Sequence, residues 1–223
     1  MSLVRSEKRM SFESSNLFGK PSSNNLENLV KTLDEISYES RLGKNLRNTL
    51  RKFDKEELFN ELELYCDFLY SIIDEVTLAE DYRIKSLQSI YLKYERYYPD
   101  KQVSSCFNDV LGLRVFCEDL VTYKEDLVKL NNPSLRIVDL INGKKSDDGY
   151  RALHLYYQKT NYHYPIEIQV WSRRDVAFHN WMHKYSYKYK SNEIGICLRE
   201  LFDRRLINTE EDFITFLNSE ENK

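Results

Sequence analysis

Ile166-Glu167-Ile168-Gln169-Val170-Trp171 alternates strictly, with apolar residues at 166, 168 and 170 and Glu167, Gln169 and Trp171 between them. A period of two belongs to a β-strand and places the two sets on opposite faces. Three more stretches have the short, apolar, β-branched character of strands: Val110 to Phe116, Leu135 to Ile141 and Ala152 to Gln158. Between the first two, Leu120 to Asn131 has helical character behind Asp119, a capping residue. Strand, helix, strand and then two strands joined by a hairpin-length link predict an α+β fold.

Away from these strands the chain reads as helical. Leu26, Leu29, Val30, Leu33 and Ile36 recur at helical spacing behind Asn25 as an N-cap, predicting a helix to about Gly43. Lys44 to Phe53 continues helically, with Lys44, Arg47 and Arg51 opposite Leu46, Leu50 and Phe53. Asp54 starts a new helix whose buried stripe is Leu58, Leu62, Tyr65, Leu69, Ile72 and Ile73, and a third runs from about Ile84 to Tyr97, stopped by Pro99. After the last strand, Ser172 to Asp175 has capping-box character before a helix carrying Ala177, Trp181, Met182 and Tyr185. A helix near Ile196 to Leu206 and an acidic one starting at Thr209 follow. Residues 1–23, rich in Ser and Asn without apolar period, read as a flexible arm. The remainder, 24–223, reads as one domain: helical over 24–98, a sheet-containing core over 106–190 and C-terminal helices over 195–220.

Composition narrows the class. With 41% hydrophobic and 31% charged residues and a mean hydropathy of −0.63, neither a disordered nor a membrane-embedded chain is indicated. Six glycines and four prolines in 223 residues fall far below the usual combined share of about 12%, which argues for long elements and against a sandwich of many short strands. The net charge of −3 leaves no global electrostatic footprint for nucleic acid, so local patches must carry any such role. Cys66, Cys106, Cys117 and Cys197 are scattered without a C-x-x-C pair, which fits free thiols in a reducing cytoplasm. No run of 18 apolar residues exists, and Met1 to Met10 lacks the apolar core of a secretory signal.

Several residues can carry chemistry. Asp109 precedes the 110–116 strand and would stand beside Glu167 if the two strands are neighbours. Two carboxylates suit Mg²⁺, which takes one or two from protein and leaves its other positions to phosphate and water. Gly112, inside that strand, suggests the close approach of another backbone or of a ligand. Asp148-Gly149-Tyr150-Arg151 forms a turn before a strand bearing His154, so the Tyr150 ring could stack on a nucleobase. Arg83, Lys85, Ser89 and Lys93 open the third helix, where the helix dipole and free N–H groups favour phosphate. Each of these features alone also has an ordinary structural explanation. His179 and His183 have the four-residue spacing of a metal pair. Asn180 nonetheless occupies the position where a zinc protease needs glutamate, and no third ligand is evident, so they read as structural histidines beside Trp181. Lys44, Arg47, Arg51 and Lys52 form a stretch without acid, and Lys184 to Lys190 is basic and Tyr-rich; both are candidate RNA contacts or simply solvated faces.

Arg83-x-Lys85-x-x-x-Ser89, Asp109-x-x-Gly112-x-Arg114, Gly149-Tyr150-Arg151-x-x-His154 and Glu167-x-Gln169, in this order, resemble the RelA/SpoT-type synthetases, above all the small single-domain alarmone synthetases. The resemblance covers about Tyr82 to Lys188. It implies a nucleotidyltransferase-like mixed sheet flanked by helices, and transfer of the β,γ-pyrophosphate of ATP to a ribose 3′-hydroxyl. Carried over by position, Arg83 and Arg114 sandwich adenine, while Lys85, Ser89 and Lys93 lie on the ATP side. Asp109 binds Mg²⁺, and Glu167 either shares the metal or acts as general base. Tyr150 stacks on the acceptor base, with Lys145, His154 and Gln169 lining its pocket. Three departures lie on the acceptor side: Trp171 where the family carries Arg, Met182 where Glu precedes the late His, and Ser146 where a Lys stands four residues before the Tyr, with Lys144 and Lys145 displaced. The acceptor expected for the family is GDP or GTP. The alternative is a toxin, neutralised by an antitoxin, that modifies the 3′-terminal adenosine of tRNA; small members are often homotetramers. A non-catalytic binding module would have no need of both carboxylates. The hydrolase of long family members has no counterpart here, because all four histidines follow residue 150.

Overall fold

β3 (Leu111–Cys117) and β6 (Ile166–Ser172) run parallel at the centre of a six-stranded sheet, with Gly112 opposite Glu167 and Arg114 opposite Gln169. The computed structural model describes residues 8–11, 23–73, 79–185 and 192–221. β5 (Leu153–Tyr157) pairs antiparallel with β6, and β4 (Leu135–Asp139) with β5. On the other side, β2 (Asp81–Ile84) pairs antiparallel with β3, and β1 (Lys8–Ser11) forms the edge against β2. The order is β1-β2-β3-β6-β5-β4, a mixed sheet in an α+β fold.

One face of the pleat is committed to the core. Ile84, Leu111, Leu153, Leu155, Ile166, Ile168 and Val170 are fully buried there. The faces of α1 (Ser23–Glu35), α2 (Lys55–Ile72), α3 (Leu87–Tyr97) and α5 (Leu120–Leu130) that carry Leu29, Leu33, Leu58, Leu62, Leu69, Ile90 and Leu127 join the same cluster. The start of each of three helices is fixed by a side chain that accepts an otherwise unpaired N–H. Asp54 accepts from Glu57, Ser86 from Ser89 and Asp119 from Thr122. A second cluster, Phe178, Leu198, Ile207, Phe213 and Leu217, holds together α6 (Val176–Tyr185), α7 (Asn192–Asp203) and α8 (Glu210–Glu221). None of the four cysteines is in a disulfide, and no helix among the described residues is long and apolar enough to cross a membrane.

The structure corrects several expectations. Two strands join the four read from periodicity. β1 lies within the segment read as an arm, and β2 occupies the residues read as the start of the third helix, which begins at Leu87. A four-residue strand such as Asp81–Ile84 is too short to show its period, although Tyr82 and Ile84 alternate into the core as a strand requires. The first helix begins at Ser23, so Asn25 lies inside it, and it ends at Glu35 rather than near Gly43. Residues 44–53 form turns and one short 3-10 helix, Leu50–Lys52. Leu46, Leu50 and Phe53 are buried as expected, but their backbone is tied to other segments: Leu46 N–H donates to Asn161 O, Leu50 N–H to Lys101 O and Arg51 N–H to Pro99 O. The Ser172 side chain caps nothing; a 3-10 turn, Arg173–Asp175, intervenes, and Asp175 is buried against Arg199. Residues 186–190, the last five of the seven in the basic Tyr-rich stretch, lie outside the described residues.

Ile168 sits on the central strand with no exposed surface. Ile168→Ala is expected to lower the unfolding free energy by about 2–5 kcal/mol, as lost transfer energy plus a residual cavity, which a urea titration would measure.

Candidate active site

The opposite face of the same pleat is polar, and the sheet register assembles it. Arg83, Gly112, Glu167 and Tyr156 lie across four neighbouring strands in one row, and Asp81, Arg114, Gln169 and His154 form the next. A Cβ at Gly112 would meet Glu167 Oε2 at 3.8 Å and Arg83 O at 3.9 Å, ordinary contact distances. No backbone therefore presses on Gly112, contrary to one expectation; its missing side chain simply leaves the floor beside Glu167 low.

Glu167 is buried, and both of its oxygens are engaged. Oε1 accepts from the Tyr156 hydroxyl at 2.9 Å and lies 3.3 Å from His154 Nδ1, while Oε2 accepts from Gln169 Nε2 at 3.1 Å. Burial raises its pKa, but the hydrogen bonds from His154 and Tyr156, with the charge His154 carries when protonated, outweigh that and hold it below the ordinary glutamate value, although the charge of Asp109 pushes upward. Asp109 stands in the turn before β3. Lys85 Nζ meets its Oδ2 at 2.5 Å and Lys93 Nζ its Oδ1 at 2.8 Å; Lys93 also donates to Asn108 at 3.1 Å. Burial again opposes ionisation, and the two lysines overcome it, keeping the Asp109 carboxyl below its usual range. Two anionic carboxylates thus share one end of the polar face. Arg83 projects half-buried from β2 rather than from a helix, and Ser89 lies in the first turn of α3, its hydroxyl 2.9 Å from that of Ser86.

Trp171 connects the two ends of the face. The Arg114 guanidinium lies 3.9 Å over its ring and is held from the other side by Asp81 at 2.6 Å. The indole N–H donates to the Tyr150 hydroxyl at 2.9 Å, and that hydroxyl is 2.9 Å from His154 Nε2. His179 packs on both rings, 4.7 Å from Tyr150 and 4.6 Å from Trp171, and Lys144 lies 4.9 Å over the Tyr150 ring. Lys145 is exposed in the preceding loop. The neighbours of His179 are therefore Trp171 and Tyr150, not Trp181, and His183 is exposed. Among the described residues no cluster of three or more His, Cys, Asp or Glu could hold a metal ion.

The loop carrying Tyr150 is clamped by the C-terminal helices. Gly149 has φ +82°, and a Cβ there would meet Gly195 O of α7 at 2.4 Å; a Cβ at Gly195 would meet Asp148 O at 2.3 Å. Arg151 closes the loop on itself with two bonds to Asp147, at 2.7 and 2.9 Å. Gly195 and His179 were not legible as site residues, because their role depends on which backbone packs against them. The RNA candidates Lys44, Arg47, Arg51 and Lys52 are all exposed but share no helical face. Lys44 donates to Lys52 O at 3.3 Å, and Arg51 pairs with Asp100.

The family model described as a region found in RelA/SpoT proteins matches residues 82–192. No curated protein matches the chain. Among solved structures, small alarmone synthetase 1 of Bacillus subtilis bound to its product pppGpp is similar at 22% identity and a TM-score of 0.41, over 62% of this chain and 77% of that one. Small alarmone synthetase 2 of Bacillus subtilis is similar at 23% identity and 0.42, over 76% and 100%. A GTP pyrophosphokinase family protein of Streptococcus pneumoniae is similar at 24% and 0.39, over 62% and 72%.

Burial, and then the charges of Arg199, Arg114 and Arg151, push the His179 imidazole down to about 3 from 6.5. The unfolded chain binds the proton more readily, so this residue's contribution to stability is complete above about pH 6.5 and is lost as pH falls toward about 3, at most about 5 kcal/mol in all. His179→Gln is expected to flatten the fall in unfolding free energy between pH 7 and pH 4, measured by denaturant titration at both. Gly195→Ala is expected to shift the Asp148–Tyr150 turn and destabilise the fold by at least about 1 kcal/mol, read in the same assay.

Proposed function

Because residues 82–192 belong to the RelA/SpoT family, we propose that the protein transfers the β,γ-pyrophosphate of ATP to the ribose 3′-hydroxyl of GDP or GTP, making ppGpp or pppGpp. The observation that carries this reading is the polar sheet face, where the anionic carboxylates of Asp109 and Glu167 stand among Lys85, Lys93, Arg83 and Arg114. Phosphoryl chemistry of this kind asks a protein mainly for positioning and charge neutralisation. The hydroxyl oxygen bonds to the β-phosphorus, the bridge to the α-phosphate breaks, and AMP leaves.

Arg83 and Arg114 present planar guanidinium groups suited to an adenine ring; Arg114 already has Trp171 on one face. Lys85, Lys93 and Ser89 hold the ATP phosphates. In that role the lysines exchange Asp109 for phosphate oxygens, which frees the carboxylate. Asp109 and Glu167 would hold Mg²⁺, as carboxylate oxygen donors of the kind this ion takes, one in the turn before β3 and the other on the adjacent strand β6. When bound, Mg²⁺ would neutralise charge on the transferring group. Glu167 takes the proton of the attacking hydroxyl. Tyr150 offers its ring to the acceptor base once the Lys144 ammonium moves aside, and His154, Gln169 and Lys145 line the same pocket.

A second reading keeps the chemistry and makes the 3′-terminal adenosine of tRNA the acceptor, as in a toxin held by an antitoxin. It is favoured by Trp171, Met182 and Ser146, which depart from the family pattern on the acceptor side, and by the exposed Lys44, Arg47, Arg51 and Lys52. A cytoplasmic setting and a homotetramer accompany the first reading.

The test is incubation with γ-³²P-ATP, Mg²⁺ and GDP, GTP or deacylated tRNA. Label on guanosine nucleotide is expected; label on RNA alone selects the second reading, and no label on any acceptor overturns both. Glu167→Gln and Asp109→Ala are each expected to lower transfer by about 10²–10⁴-fold with the fold retained. Tyr150→Ala should raise the acceptor KM by roughly ten-fold or more and leave the ATP KM little changed; an equal rise in both would reject the pocket assignment.

A further inference from the structure

Trp171, Tyr150 and His154 form a hydrogen-bonded line whose direction follows from counting protons. The indole Nε1–H is a donor only, and it donates to the Tyr150 hydroxyl at 2.9 Å. The hydroxyl has a single proton, and its other partner is His154 Nε2 at 2.9 Å. With the indole proton aimed at the oxygen, the hydroxyl proton points to Nε2, which therefore accepts and carries no proton of its own. The ring proton sits on Nδ1, 3.3 Å from Glu167 Oε1. In the other tautomer the Nδ1 lone pair would face carboxylate lone pairs, and the Tyr150 oxygen would accept from two N–H donors.

We propose that Trp171 is a positioning residue that selects the Nδ1–H tautomer of His154, and that through this tautomer it holds the Glu167 carboxylate in its working orientation. The inference rests on the reading of Glu167 as the carboxylate that acts on the acceptor hydroxyl. The indole makes its two contacts with different parts. Its face carries Arg114, 3.9 Å away, on the side read as binding ATP, and its N–H fixes Tyr150 on the side read as binding the acceptor. Phenylalanine keeps a face and removes the N–H, whereas leucine removes both. The hub is itself immobilised: Trp171 is 5% exposed, with His179 against its ring at 4.6 Å and Phe116 at 6.3 Å.

The experiment is long-range ¹H–¹⁵N NMR of ¹⁵N-histidine-labelled protein, with the His154 signals assigned by their loss in His154→Gln. The wild type is expected to show the proton on Nδ1. In Trp171→Phe the ratio of Nε2–H to Nδ1–H should rise at least about five-fold, the worth of one neutral hydrogen bond; an unchanged ratio overturns the proposal. Should Trp171→Phe fail to fold, benzothienylalanine at 171 in a Trp181→Phe background keeps the indole shape, lacks the N–H and is read in the same way. In parallel, Trp171→Phe should lower kcat of the transfer at least about five-fold with the ATP KM within about two-fold, while Trp171→Leu raises the ATP KM as well. A shifted tautomer with unchanged kcat overturns the link to Glu167. Absence of transfer in the wild type overturns the pyrophosphokinase reading and leaves the tautomer result to stand or fall by itself.

Discussion

β3 and β6 pair in parallel with Gly112 opposite Glu167, and both faces of the sheet follow from that register. Side chains on a strand alternate, so this register commits Leu111, Leu113, Ile166 and Ile168 to the core and presents Gly112, Arg114, Glu167 and Gln169 on the other face. A slip of one residue would exchange the two sets, burying Glu167 among leucines and exposing three fully buried apolar side chains. The energetic penalty against such a slip is supplied by the core, and the site is its by-product. The polar face is held in place because the apolar face behind it is close-packed.

Charge on that face is costly unless paired, and the pairing is close. Asp109 is held by two lysines, Glu167 by three donors and Arg114 by Asp81 and an indole ring. Removing one partner from such a group leaves its counterpart desolvated and unpaired, a larger loss than the pair's own net contribution. The arrangement also determines protonation. Both carboxylates stay ionised although burial opposes it, while His179, surrounded by arginines, stays neutral. One face thus combines anionic carboxylates, cations paired with them and a neutral aromatic end.

The C-terminal helices bear on the site through contact rather than through a reactive group. Gly149 and Gly195 touch backbone to backbone, so α7 positions the loop that carries Tyr150. Arg199, buried on the same helix, pairs with Asp175 at 3.1 Å, and His179 of α6 packs under the Tyr150 ring. The second hydrophobic cluster, which lies apart from the sheet core, is in this sense a brace for the Tyr150 end of the face.

Readable in residue order alone are the α+β class, four of the six strands, the helix start at Asp54, the cap at Asp119, and the grouping of Arg83, Lys85, Asp109, Arg114, Tyr150, His154 and Glu167 by motif order. These are legible because they rest on local periodicity, capping chemistry and residue order. Tertiary structure decided the remainder. Asp81–Ile84 is a strand because β3 offers it a ladder, and residues 44–53 are turns because Asn161, Pro99 and Lys101 satisfy backbone groups that a helix would have paired internally. Trp171 reads in the sequence only as a departure from a pattern. It becomes the link between Arg114 and Tyr150 when β6 lies beside β3 and the 147–151 loop folds over both. Contacts between residues far apart in the chain cost loop entropy and depend on packing at both ends, so no local pattern encodes them.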